Sequence, residues 1–132
     1  MEPDYFDTHF KAYPLGTIWP ASFAIITAYQ TTGEQWSDTR NDTANKELEQ
    51  KLLHLGCSLI PITGYSHKTQ YGEPGFAIQI SLQDALKIGA DYKQDAIYYV
   101  EHGTLQVHSC VKPESATVDT FTNRLTPNNN PK

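Results

Sequence analysis

Methionine occurs once, and cysteine and tryptophan twice each, among the 132 residues. Long apolar runs are missing altogether. A stretch such as Phe23 to Ile26 falls far short of the ~20 residues that a membrane-spanning helix needs. Cys57 and Cys110 lie far apart and outside any C-x-x-C pair, which argues against a disulfide scaffold and leaves two free thiols as the simplest expectation. The five histidines (His9, His54, His67, His102, His108) show neither H-x-x-x-H nor H-E-x-x-H spacing, so no metal is expected. No G-x-x-x-x-G-K-[ST] phosphate cradle is present, and Thr31-Thr32-Gly33 reads as an ordinary loop. Ser58, Ser66 and Ser109 sit in no G-x-S-x-G elbow. No cofactor is expected. Basic charge is scarce too: ten Lys and Arg face fifteen Asp and Glu, a formal charge of −5. Neither a nucleic acid nor an anionic membrane suits such a surface as main partner, because both need a basic footprint. The acidic opening, Glu2 to Asp7, is the reverse of a secretory leader, so a cytoplasmic location is expected.

Apolar residues make up 39% of the chain, enough for one modest core. Residues 1–17 place Tyr5, Phe6, Phe10 and Tyr13 among polar residues and read as a short helix ended by Pro14 and Gly16. Residues 22–29 read as a central strand covered on both faces. A helix follows, with Ser37 as N-cap and Gly56 as the terminating glycine. Leu48, Leu52 and Leu55 step by four and three along its inner face. Carried backwards, that stripe passes through Asn45 and Asn41, so two amides continue a buried face.

Residues 58–64 read as a strand, with Pro61 at an edge or bulge because it cannot donate a ladder hydrogen bond. Residues 65–74 form a polar loop, and 75–80 alternate as a half-buried strand with Phe76, Ile78 and Ile80 on one face. Ser81 and Asp84 resemble a capping box that opens a second helix, whose inner face carries Leu82, Ala85, Leu86 and Gly89. Residues 96–101 and 104–111 form a hairpin across His102-Gly103. Residues 114–132 read as a flexible polar tail, in which Val118, Phe121 and Leu125 are able to dock as a short helix. The expected architecture is α+β: a compact domain over 1–113, built on a single-layer, mostly antiparallel sheet of about five strands with two or three helices packed on it.

Several motifs together resemble a small bacterial family, domain of unknown function 3293. They are Tyr5-x-x-Thr8-x-Phe10, Ile26-Thr27-Ala28-Tyr29, Asn41 and Asn45 leading into Leu48 and Leu52, the Gly64 to Glu73-Pro74 loop, and Gln94-Asp95-Ala96-Ile97. The resemblance covers roughly residues 5 to 110. Gln30-Thr31 replaces the family's usual Asn-Pro, and Gly75 its usual Ser. It implies a bacterial, single-domain protein and supplies no activity.

Function has to be sought in the polar residues. Thr27 ends the central strand, and Asn41, Asn45 and the helix N-terminus stand beside it. Unpaired helix N–H groups favour anions, and amides supply donors and acceptors together. Thr27, Asn41, Asn45 and Gln94 are therefore candidate ligand-binding residues, with Glu73 and Asp95 as candidate catalytic acid/base groups. The ligand class is a small polar or anionic molecule. A structural role for each residue stands beside this: buried asparagines often bond a neighbouring loop, and Asp95 suits a turn. An alternative function is a non-catalytic protein-interaction or regulatory module, drawing on Tyr65, Tyr71, Tyr92, Tyr98 and Tyr99, the Pro61 strand and the tail. Cys57 reads as a small packed hydrophobe, and a His67–Glu73 metal pair would be an incomplete site.

Overall fold

The computed structural model describes residues 3–12, 18–29, 36–66, 68–69 and 71–126. The Tyr13, Pro14, Gly16, Thr31-Thr32-Gly33 and His67 readings, and the last six residues of the expected tail, lie outside them. A 3-10 turn, Pro3–Phe6, leads into strand β1 (Thr8–Ala12). Then come β2 (Ser22–Ile26), α1 (Asp38–His54), β3 (Leu59–Ser66), β4 (Gly72–Ile78), α2 (Leu82–Asp91), β5 (Ala96–Glu101), β6 (Thr104–Ser109), β7 (Ser115–Thr120) and the one-turn α3 (Phe121–Arg124). No helix among the described residues is long and apolar enough to cross a membrane.

The seven strands form one sheet in the order β1-β3-β4-β2-β5-β6-β7, and every neighbouring pair is antiparallel. The α+β class holds, but the sheet has seven strands where about five were expected. Within it, β2-α1-β3-β4-α2-β5 is a split β-α-β arrangement: β4 lies between β2 and β3, and β2 lies between β4 and β5. The two long helices are the crossovers this connectivity needs.

The sheet curls on itself. Past β7 the chain reaches its first strand: Leu125 bridges Phe10, and the Thr126 amide donates to the Phe10 carbonyl at 2.7 Å. Arg124 fastens the closure, with Nε 2.8 Å from Asp119 Oδ2 and Nη1 2.7 Å from the Phe6 carbonyl. The first bond is local and the second joins segments at opposite ends of the chain, both assisted by the guanidinium charge.

Two cores result. The inner one is aromatic: Phe10, Phe23 and Phe121 pack with Ile25, Ile62, Val100 and Leu105, and Trp19 stacks on Phe23 with centroids 5.1 Å apart. The outer one lies between the sheet and the two long helices, with Ala24, Ile26, Ile78 and Ile97 against Leu48, Leu52, Ala85 and Ile88. Alternation in β2 sends Phe23 and Ile25 inward and Ala24 and Ile26 outward, so this strand is covered on both faces as its apolar run predicts. In β4 the same holds: Phe76 and Ile78 face the helices while Ala77 is buried inside, which makes it fully buried there rather than half-buried.

Three expectations need correction. Residues 8–12, expected in a helix, form β1; Phe10 and Ala12 are buried while their neighbours are less so, a period of two. The segment from residue 114, expected as a tail, supplies β7 and α3 up to Arg124, because closing the sheet buries Phe121 and packs Val118 and Leu125 against the inner core. Leu55 leaves the leucine stripe. It is the C-cap of α1 and 57% exposed, and Cys57 packs against the outer core just beyond it. The helix ends themselves follow the sequence: Ser37 Oγ accepts from the Arg40 amide at 3.1 Å, and Gly56 adopts φ +82°. Pro61 lies one residue past the end of the β1 pairing, where β3 is locally an edge. His102 and Gly103 both take positive φ, as a tight two-residue hairpin turn requires.

Candidate functional site

Helix α1 crosses the outer face of the sheet with Asn41, Leu48 and Leu52 buried beneath it. Asn41 is 4% exposed. One turn on, the Asn45 side-chain oxygen Oδ1 is fully buried and has no hydrogen-bond partner among the described residues. It is an acceptor taken out of water without compensation, a costly arrangement in a small core.

Asn45 lines a groove of about 230 Å³ between α1 and the outer face of β1, β3 and β4, together with Lys11, Pro61, Thr63, Pro74 and Phe76. Lys11 points outward because Phe10 and Ala12 point in. Its ammonium lies 4.8 Å from the centre of the Tyr65 ring, and no carboxylate pairs with it among the described residues. The wall opposite is shaped by Gly75. A Cβ built there would stand 2.4 Å from the Ile26 carbonyl oxygen, so only glycine lets β4 approach β2 so closely at this point.

Thr27 and Gln94 are near α1 in the fold but already committed. The Thr27 hydroxyl donates to the Pro74 carbonyl at 2.7 Å and accepts from the Tyr29 amide at 3.2 Å. Gln94, 8% exposed, spends both amide hydrogens on the carbonyls of Tyr29 (2.7 Å) and Tyr92 (3.2 Å). Together they pin the chain where β2 leaves the sheet.

Glu73 does not join Asn45. It lies on the same side of β4 as Ala77, opposite Gly64, whose own neighbours are the Phe10 ring and Thr8. The carboxylate is therefore on the inner side of the sheet and the groove on the outer. Tyr71 donates to Glu73 Oε2 at 3.2 Å, and burial raises the carboxyl pKa while this bond opposes the rise. Burial and the Glu73 charge push the Tyr71 phenol up to about 12.

Tyr29 is raised as well, by burial and then by Asp42, Asp38 and Glu73. Carboxylates thus surround the start of α1, and the anion attraction expected from its N-terminus is offset. Asp95 stands apart. Its carbonyl accepts from the Cys110 amide at 2.8 Å, and burial plus the Asp95 charge push the Cys110 thiol up to about 11.

Tyr98 seals the interior near Glu73. Its oxygen is 2.8 Å from both the Tyr5 carbonyl oxygen and Thr8 Oγ1. A carbonyl only accepts, so the phenol proton goes to Tyr5 and the Thr8 hydroxyl donates the second bond. Burial raises the phenol pKa strongly.

Sequence reasoning found Asn41 and Asn45 through the leucine stripe but missed Lys11 and Thr63. The alternation of His9, Phe10, Lys11 and Ala12 was the available signal, and it exposes Lys11 only if the segment is a strand.

Comparison with known proteins gives one match. The family model described as "Protein of unknown function (DUF3293)" covers residues 26–97, from the last residue of β2 into β5. This is more than half the chain, and the chain belongs to that family. No curated protein and no solved structure was found to match.

Proposed function

We propose that this member of the DUF3293 family binds a small polar or anionic molecule in the groove under α1. The groove itself carries the reading: it brings Lys11, Asn45 and Thr63 beside Pro61, Pro74 and Phe76. Among the described residues, Lys11 supplies the only positive charge in the lining. Pro61, Pro74 and Phe76 supply apolar contact.

Glu73 remains our candidate for acid–base chemistry. Its raised pKa and its bond to Tyr71 suit proton transfer at the inner end of β4, away from the groove. Asp95 has no place in that arrangement. The interaction-module alternative has less to stand on: of Tyr65, Tyr71, Tyr92, Tyr98 and Tyr99, only Tyr71 is exposed.

The test is a thermal-shift screen of small metabolites, followed by amide chemical-shift mapping of each hit. We expect hits to perturb Lys11, Asn45, Thr63 and Gly75, and Asn45→Ala to abolish them. If nothing shifts the wild type, and Asn45→Ala alters stability alone, the groove is not a binding site.

A further inference from the structure

We infer that residues 121–126 form a strap that opens and closes as one unit on an otherwise intact fold, with Arg124 as its latch.

The strap spans the gap between the two edge strands. At its start, the Phe121 amide donates to the Gly103 carbonyl at 2.8 Å. At its end, the Thr126 amide donates to the Phe10 carbonyl at 2.7 Å, and the Thr126 and Tyr65 hydroxyls bond each other. Leu125 makes a lone parallel bridge to Phe10. On their other sides the edge strands are fully supported. β1 is paired with β3 from Thr8 to Ala12, and β7 with β6 from Ser115 to Thr120. Both strands therefore keep their places when the strap lifts.

The strap has little to hold its shape by itself. α3 is a single turn of four residues, and its N-cap Thr120 makes no side-chain cap bond. A lone turn fixes several dihedrals for one hydrogen bond, so its shape depends on what it touches. Phe121 is buried between Phe10, Trp19 and Phe23, with ring centroids 5.9, 5.1 and 5.3 Å away. Leu125 packs against the same core. Once these two side chains leave, the turn has no support, which makes opening a single step.

Arg124 ties the two sides together. Its Nε donates to Asp119 Oδ2 at 2.8 Å, and its Nη1 donates to the carbonyls of Phe6 at 2.7 Å and Thr8 at 3.2 Å. Asp119 is itself held in place: Oδ1 accepts from the Thr120 amide at 2.7 Å and from Asn123 Nδ2 at 3.1 Å. A planar guanidinium reaches a carboxylate and two carbonyls at once, which the point charge of an ammonium does poorly. The Arg124 and Asp119 side chains are 16% and 30% exposed, so water is at hand to take over their bonds on opening. Lifting the strap uncovers the free edge of β1 and the rings of Phe10, Trp19 and Phe23. A bare edge strand is a template for pairing with another chain, and the strap keeps this one covered.

The experiment follows amide hydrogen exchange of the full chain at rising urea, below its unfolding midpoint. The Phe121 and Thr126 amides should exchange through an opening with weaker urea dependence than the Ile25 and Ala77 amides at the centre of the sheet. This comparison needs no variant. Leu52→Val, which loosens the outer core, should speed exchange at Ile25 and Ala77 and leave Phe121 and Thr126 unchanged. Arg124→Gln should speed Phe121 and Thr126 roughly tenfold or more. Arg124→Lys, which keeps the charge and loses the fork, should speed them too.

If all four amides share one urea dependence, or Leu52→Val speeds all four alike, the strap unfolds only with the whole protein, which overturns the proposal. If Arg124→Gln or Arg124→Lys exchanges like the wild type at Phe121 and Thr126, the guanidinium is not the latch, and the proposal is equally wrong.

Discussion

The two faces of the curled sheet solve the same problem differently. Inside, the core is aromatic, and the buried Tyr98 hydroxyl within it bonds both Tyr5 and Thr8. Outside, the helices cover the sheet with small and aliphatic residues, and a groove remains where Asn45 has a buried oxygen and no partner. The inner face is finished by the chain alone. Among the described residues, the one buried side-chain polar atom without a partner lies on the outer face, under the first half of α1.

The contrast is tested most severely by Phe23→Ala. Phe23 is 1% exposed and touches Trp19 and Phe121. Its loss should cost about 3–5 kcal/mol in urea unfolding, the range for a buried phenylalanine whose site cannot collapse. A smaller cost would mean that the inner core is loosely packed. Gly75→Ala comes next. The new methyl meets the Ile26 carbonyl, which is backbone and cannot swing aside, so roughly 2–3 kcal/mol of destabilisation is expected.

The third test sets the two faces against each other. Tyr98→Phe deletes a satisfied hydroxyl and should cost roughly 1–2 kcal/mol. Asn45→Leu deletes an unsatisfied oxygen and should stay within about 0.5 kcal/mol of the wild type, in either direction. Equal costs would show that Asn45 is an ordinary structural asparagine. Smallest in effect is Glu73→Gln, seen only in pH dependence. Burial raises the folded pKa of Glu73 above its ordinary 4.5. The native state therefore holds the proton longer than the unfolded chain. This contribution to stability is complete below 4.5 and is lost as pH rises through the raised folded value. Glu73→Gln should flatten that decline, as measured by urea midpoints across the acidic range.

Much of this arrangement was legible in the sequence, for local reasons. The caps at Ser37 and Ser81, the His102-Gly103 turn and the apolar run of β2 each depend on neighbours a few residues away. The inward amides of α1 follow from helical spacing alone. What escaped depends on distant pairing. β1 and β7 are short and largely polar, and become strands only because the sheet supplies partners from elsewhere: Thr8 to Ala12 against Ser66 to Ile62, and Ser115 to Thr120 against β6. Glu73 and Asn45 both looked like rim residues of one pocket. The alternation of Phe76 and Ile78 puts Glu73 on the Ala77 side only if the strand reaches back past Gly75, and that extension, over residues expected as a polar loop, comes from pairing with Thr63, Gly64 and Tyr65 of β3.

The closure by Arg124 has a consequence in time as well as in space. Its guanidinium reaches the Phe6 carbonyl across 118 residues of chain. Contacts this distant in sequence pay the loop-closure entropy of nearly the whole fold before they return anything. As the chain emerges from a ribosome, the split β-α-β core is available first, with its aromatic interior still open to water. Val118, Phe121 and Leu125 arrive later. Until they do, Phe10 and Phe23 lack their final neighbours, and that interval is when this protein is most exposed to capture by chaperones or by other copies of itself.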